Sequence, residues 1–247
     1  MFLTLWATPR STSTAFEWMM RQRGDFECFH EPFNEVFYYG EDRRSQRDAD
    51  VEAKPGHNFE SVWADLFTAA DTHPVFMKEF AYSVEADLTD ERLDNITHHG
   101  ILIRDPRRVV QGLAKYWPDV EFFEIGFEAL HALFDRISNR VGSAPPVLAS
   151  EDLVEHPEAA ARAFCEAVDI SFVEESLRWE QGDRGEVSWY GEGSGPWHDN
   201  LRRSTGITKP TTVYPPLEDT PRLYELYERS LPFYDALLEH RLAVDPT

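Results

Sequence analysis

The sequence predicts an α/β fold: a central, mostly parallel sheet flanked by helices, with further helices at the C-terminus. Three observations predict it. Short, β-rich apolar runs alternate with stretches whose apolar residues recur every three or four positions, the signature of βαβ units. The first run, "FLTLWA" (2–7), is apolar almost throughout, as a strand covered on both faces must be. The chain also closes on a long helical pattern, "PRLYELYERSLPFYDALLEHRL". Its 247 residues suit one such domain spanning 1–247.

The elements follow in order. After the strand at 2–7, "STAFEWMMRQR" is a helix that Gly24 can stop. "FECFHE" (26–31) is a second strand and "FESVWADLFTAA" (59–70) a helix. "PVFMKEF" (74–80) is a third strand, "ERLDNITHH" (91–99) a short helix and "GILIRD" (100–105) a fourth strand. "RRVVQGLAKYW" and "FEALHALFDRISNRV" are helical. "PPVLAS" (145–150) is a fifth strand, followed by the helix "HPEAAARAFCEAV" with Pro157 in its first turn. The C-terminal pattern reads as two amphipathic helices, or one broken at Pro232, packed on the sheet. Segments 34–58 and 182–206 read as long loops. Their aromatic residues favour binding, because loops of this length are commonly functional.

The net charge is −21, which argues against nucleic acid and anionic membrane surfaces as partners. Only four of the 24 Lys and Arg residues are lysine: Lys54, Lys78, Lys115 and Lys209. An anion site in so acidic a chain must be built from locally placed arginines and backbone N–H groups. No apolar run approaches the roughly 20 residues that span a bilayer. Cys28 and Cys165 sit far apart and in no metal-ligand spacing, so a reduced, cytoplasmic chain is expected.

Ligands of open α/β sheets bind at the carboxyl ends of the strands, so the strand-to-helix loops carry the functional reading. After the first strand comes Arg10-Ser11-Thr12-Ser13-Thr14 at a predicted helix start. Free N–H groups and the positive end of the helix dipole favour an anion there. The four hydroxyls and one guanidinium add donors. N-capping alone would need one hydroxyl. An NTPase phosphate loop requires G-x-x-x-x-G-K-[ST], and both glycines and the lysine are missing.

The loop resembles the 5′-phosphosulfate loop of sulfotransferases that use 3′-phosphoadenosine-5′-phosphosulfate (PAPS), which reads about [KR]-S-G-T-T. Arg10 to Thr14 fall on those five positions, with Thr12 where the family has glycine. "ILIRDPRRVVQGLAKYW" (101–117) resembles the segment in which an arginine binds the 3′-phosphate, and Arg104 takes that place. The family's serine eight residues later is Gly112 here. "SEDL" (150–153) resembles a structural segment of the family. "GSGPWHDNL" (193–201) resembles a late loop that folds over the nucleotide, which implies Trp197 on adenine and Arg202 or Arg203 on the 3′-phosphate. The resemblance covers residues 2–206. It implies a P-loop-like sulfotransferase fold, PAPS as co-substrate and no metal.

Sulfuryl transfer needs a base for the acceptor hydroxyl and positive charge for the departing phosphate oxygen. Many members use a histidine two residues after a lysine on the third strand. Here Lys78 is present, but Phe80 stands in the histidine's place. A bacterial branch uses a glutamate after the second strand, and Glu31 in "CFHEPF" matches it. The expected roles are therefore Glu31 as base, ahead of His30 and His57, and Arg10, with Lys78, at the bridging oxygen. The expected acceptor is a small molecule or carbohydrate hydroxyl. A P-loop kinase-like phosphotransferase and a non-catalytic nucleotide-binding module are the alternatives. Magnesium-dependent ATP binding marks the first, and binding without turnover the second.

Overall fold

The protein is described here from a computed structural model, which covers residues 1–183, 185–189 and 196–245. Five parallel strands form one sheet: β1 (Phe2–Ala7), β2 (Glu27–His30), β3 (Val75–Phe80), β4 (His98–Ile103) and β5 (Val147–Ala149). Their spatial order is β2-β3-β1-β4-β5. Register aligns Leu5 with Lys78 and Gly100, and His30 with Lys78. The chain therefore leaves β1 toward one edge of the sheet and β4 toward the other. A crevice opens at that switch point, outside the carboxyl ends of the strands.

Helix α1 (Ser13–Arg23) follows β1 and ends at Gly24, whose φ of 74° is the left-handed conformation that glycine adopts without strain. Next come α2 (Pro32–Tyr39), α3 (Phe59–Ala70), α4 (Pro106–Ala114), α5 (Phe122–Ile125) and α6 (Phe127–Val141). Helices α7 (Ser150–Glu155), α8 (Pro157–Ala167), α9 (Asp199–Arg203) and α10 (Pro221–Leu238) complete the described set. On one side of the sheet Phe16 of α1 packs against Phe76 and Phe164. Phe33 of α2 and Trp63 of α3 pack together, their rings 4.7 Å apart. Each strand of three to six residues buries its apolar side chains on both faces, apart from the edge strand β2 and the first residues of β4.

Three expectations are corrected. Segment 34–58 opens inside a helix, because α2 begins at Pro32 and buries Phe33, Val36 and Phe37. Pro32 at the first helical position and apolar residues three and four apart are the signals for it. Residues 91–95 form a single 3₁₀ stretch, and His98 and His99 belong to β4, where the Trp6 indole N–H donates to His99 Nδ1 at 3.1 Å. The C-terminal pattern is one continuous helix through Pro232. A proline inside a helix costs about 3 kcal/mol through its missing N–H and its clash. Burial of Leu226 and Leu237 on either side of it, against a helix face that meets mainly α4 and α6, offsets that cost. The predicted loop 182–206 is described only in part, since Arg184 and residues 190–195 lie outside the described residues.

Candidate active site

The loop from Pro9 to Thr12 is built on strained backbone. Arg10 and Thr12 have φ of 60° and 71°, a region that costs an ordinary L-residue about 1–2 kcal/mol. Two contacts hold it. Arg104, just past β4, donates from Nη1 to the carbonyl of Arg10 at 2.7 Å. The Thr12 hydroxyl lies 3.0 Å from the Ser150 hydroxyl at the start of α7. Within the loop, Ala15 and Phe16 N–H groups donate to the Thr12 carbonyl. The N–H groups of Ser11 to Thr14 meet no acceptor among the described residues, so they remain free for an anion.

The four hydroxyls do not act alike. Ser11 is buried and turns back to donate to the Thr8 carbonyl at 2.6 Å. Thr12, Ser13 and Thr14 line the cleft. This cleft has about 1160 Å³ of space, counting the part open to solvent. It joins the loop to Arg10, Arg104 and Glu31. Phe80, Tyr82, Trp117, Trp189 and Tyr214 supply aromatic walls.

Arg10 does not extend freely from the loop. Its guanidinium lies over the rings of Tyr116 (5.2 Å) and Trp197 (5.5 Å), and Nη1 donates to the Trp197 carbonyl at 3.2 Å. Burial holds its pKa below the usual arginine value, partly opposed by Tyr116 and Tyr214. Burial likewise lowers that of Arg104, with Glu151 opposing. The Trp197 ring packs against Tyr116 and Trp117, at 4.6 and 4.9 Å. Arg202 and Arg203 lie outside the cleft wall. Arg202 Nη1 is 3.1 Å from Asp199 Oδ1, and Arg203 Nε donates to the Asp199 carbonyl at 3.2 Å. Both therefore rest on Asp199 of α9.

At the end of β2 the backbone turns sharply. Glu31 has φ 45° and ψ 47° and starts α2 ahead of Pro32. Such a conformation in a non-glycine residue marks a site where the surrounding structure imposes it. The Glu31 carboxylate is nearly buried, ion-paired with Lys78, and accepts from Asn34 Nδ2 at 3.4 Å. Lys78 is fully buried, with Nζ 4.2 Å from the centre of the Phe80 ring, and does not line the cleft. On the opposite face, Glu79 accepts from the N–H groups of Phe33, Asn34 and Phe80 at 2.8, 3.2 and 2.7 Å. It thereby caps the same helix.

The two histidines weighed in sequence are separated. His30 lies behind Glu31, with Nδ1 2.5 Å from Glu17 Oε2. His57 Nε2 is 2.7 Å from Glu35 in a second cavity behind β2. A third histidine lines the cleft: His198, edge-on to His30 with ring centres 5.5 Å apart. Burial, then positive charge nearby (His30 when protonated, Lys78, Arg10 and Arg202), pushes its pKa down to about 2. His198 is therefore a neutral imidazole at any ordinary pH. Its burial is tertiary, and nothing in "GPWHDN" signals it. No group of three or more His, Cys, Asp or Glu suited to a metal occurs among the described residues. No helix there is long and apolar enough to cross a membrane.

A family model described as "Sulfotransferase domain" matches residues 1–241. Two Arabidopsis thaliana proteins match 95% of this chain: branched-chain-amino-acid aminotransferase-like protein 1 at 30% identity and its relative protein 2 at 27%. This chain spans 41% of the length of either. Among solved structures, a sulfotransferase from Alicyclobacillus acidocaldarius superposes with a TM-score of 0.54 at 12% identity, covering 97% of this chain and 96% of the other. That likeness bears on the fold, a parallel sheet flanked by helices.

Proposed function

This chain belongs to the sulfotransferase domain family, and from that premise we propose that it transfers a sulfuryl group from PAPS to a hydroxyl of a small-molecule or carbohydrate acceptor. The observation that carries the reading is one cleft that joins the free N–H groups of the β1–α1 loop, two arginines and a carboxylate. In a chain of net charge −21, those N–H groups and arginines are what a polyanion requires.

In this reading Ser13, Thr14 and the loop N–H groups of residues 11–14 bind the 5′-phosphosulfate. Arg10 stabilises the bridging oxygen as the bond to sulfur breaks, where charge develops. Arg104 serves the 3′-phosphate while holding the loop through the Arg10 carbonyl. Trp197, together with Tyr116 and Trp117, offers the adenine an aromatic surface. Glu31 accepts the proton of the attacking hydroxyl, and Lys78 keeps its carboxylate in place. Phe80 and Tyr82 bound the acceptor's side of the cleft. Arg202 and Arg203 reach the nucleotide only if it draws them off Asp199.

The test is binding followed by turnover. 3′,5′-Adenosine bisphosphate should raise the melting temperature, since a ligand at 100 times its Kd adds about 2.7 kcal/mol. Arg10→Ala and Arg104→Ala should each remove most of that rise. PAPS with a panel of alcohols should then give sulfated product. A protein that binds neither nucleotide overturns the proposal, and one that binds both without turnover is a nucleotide-binding module.

A further inference from the structure

A buried acid–histidine pair stands directly behind Glu31. His30 ends β2 on the same face of the sheet as its neighbour Lys78. Its side chain is 4% exposed, and Nδ1 lies 2.5 Å from Glu17 Oε2. Glu17 is wholly buried, and its other oxygen accepts from Arg21 Nε at 2.9 Å. His30 Nε2 is buried with no hydrogen-bond partner among the described residues, 3.9 Å from Glu31 Oε1. Catalytic hydrogen bonds are commonly this long before substrate binds.

The contact with Glu17 and the surrounding charges together favour one tautomer. Burial raises the Glu17 pKa, but His30, Arg21 and Lys78 together hold it below the usual carboxylate value. Burial holds His30 below the usual imidazole value, opposed by Glu17 and reinforced by Lys78 and Arg21. The pair therefore rests as a carboxylate beside a neutral imidazole. An ionised carboxylate only accepts, so Nδ1 bears the hydrogen and Nε2 turns a lone pair toward Glu31.

We propose that His30 and Glu17 form a proton relay behind the base, drawing from Glu31 the proton it takes from the acceptor hydroxyl. The inference rests on the sulfuryl-transfer reading above. As the acceptor oxygen bonds to sulfur, its proton moves to Glu31, and the electron pair of the broken sulfur–oxygen bond leaves on the 5′-phosphate. Glu31 then passes the proton to His30 Nε2. Left protonated, Glu31 would strand the Lys78 ammonium in a buried site, at a cost of several kcal/mol. Passing the proton on restores that ion pair and creates a second one, imidazolium against Glu17. After product leaves, the proton returns through Glu31, which lines the open cleft, to solvent before the next turnover.

The test uses the full chain, PAPS, and phenol and hexanol as acceptors. Glu17→Gln and His30→Gln should lower kcat by about 10–100-fold, less than the roughly 10²–10⁴-fold of a group that itself takes the substrate's proton. KM for PAPS and affinity for 3′,5′-adenosine bisphosphate should stay unchanged. ¹⁵N-histidine NMR of the unaltered protein should show His30 protonated on Nδ1. Its Nε2 resonance should move in Glu31→Gln. Full kcat in His30→Gln, or hydrogen on Nε2 instead of Nδ1, overturns the relay alone. A wild-type protein that binds no adenosine bisphosphate and transfers nothing overturns the relay together with the reading it rests on.

Discussion

Gly112 lies against the stem of Arg10: a Cβ built on this glycine would stand 3.1 Å from Arg10 Cγ and 3.2 Å from its Cβ. The position where the family resemblance implies a phosphate-binding serine is here the space that lets Arg10 fold back between Tyr116 and Trp197. Gly112→Ser should therefore weaken binding of 3′,5′-adenosine bisphosphate. Crowding costs about 1–3 kcal/mol, while replacing a helical glycine returns roughly 0.5 kcal/mol. A net loss of about 1 kcal/mol in denaturant unfolding is expected. In an Arg10→Ala background the same substitution should cost less, because the crowded Cγ is gone and only the contact with Cβ is left. Calorimetric titration and urea melts of the four proteins check both points.

Thr12 stands where the family resemblance implies glycine, and its φ of 71° shows a glycine-like backbone with a β-branched residue. The hydrogen bond to Ser150 is what the side chain offers in exchange. Thr12→Gly loses that bond, worth about 1 kcal/mol, but relieves about 1–2 kcal/mol of left-handed strain. Thr12→Ala loses the bond and keeps the strain. Alanine should thus be the more destabilising of the two, by about 1 kcal/mol, the reverse of their order inside a helix. Ser150→Ala should be costly in the parent and neutral in Thr12→Gly. Equal effects of Ser150→Ala in both backgrounds would show that the hydroxyl pair contributes nothing.

What was legible in the sequence follows from the kind of signal each feature leaves. "FLTLWA" declares a buried strand because every residue in it must suit a dry environment, and Gly24 declares a helix end because its backbone requires glycine. Arg104 at the end of β4 and Glu31 at the end of β2 were expected there from the family resemblance and from the rule that the carboxyl ends of parallel strands converge on one crevice, and both line that cleft. The rest depends on contacts between distant segments. Ser11 turns to the Thr8 carbonyl, Arg202 and Arg203 turn to Asp199, and His198 meets His30 across 168 residues, none of which has a local pattern. Helix α2 was missed for a different reason. Its start at Glu31 needs a positive φ that propensity assigns to glycine or asparagine.

Glu79 should give the protein an unusual pH response. Burial raises its carboxyl to about 7, against three backbone N–H donors and Lys78, which lower it. A carboxyl raised in the folded state above its ordinary 4.5 binds protons more tightly folded than unfolded. Its contribution is full below pH 4.5 and is lost as pH rises to about 7. At 1.36 kcal/mol per decade the whole interval is worth about 3 kcal/mol. Chemical denaturation between pH 5 and 8 should show a decline with rising pH in the parent that Glu79→Gln removes. Parallel curves for the two proteins would refute the assignment.

The buried pair of Lys78 and Glu31 separates folding from chemistry. Each charge is out of water, so removing one partner strands the other at a cost of about 3–5 kcal/mol. Lys78→Met and Glu31→Gln should each lower the unfolding free energy by that order. The double substitution should recover much of it, because no buried charge is left without its partner. Activity should not follow. Glu31→Gln removes the proposed base and should lower transfer by about 10²–10⁴-fold, and adding Lys78→Met should leave it there. Lys78→Met alone keeps the carboxylate but releases it from its ion pair with the ammonium, which should reduce kcat more than PAPS affinity. Recovery of transfer in the double substitution would place the base elsewhere in the cleft, which His198 also lines. Loss of stability that the double substitution fails to repair would mean that the two side chains act through packing and not through their charges.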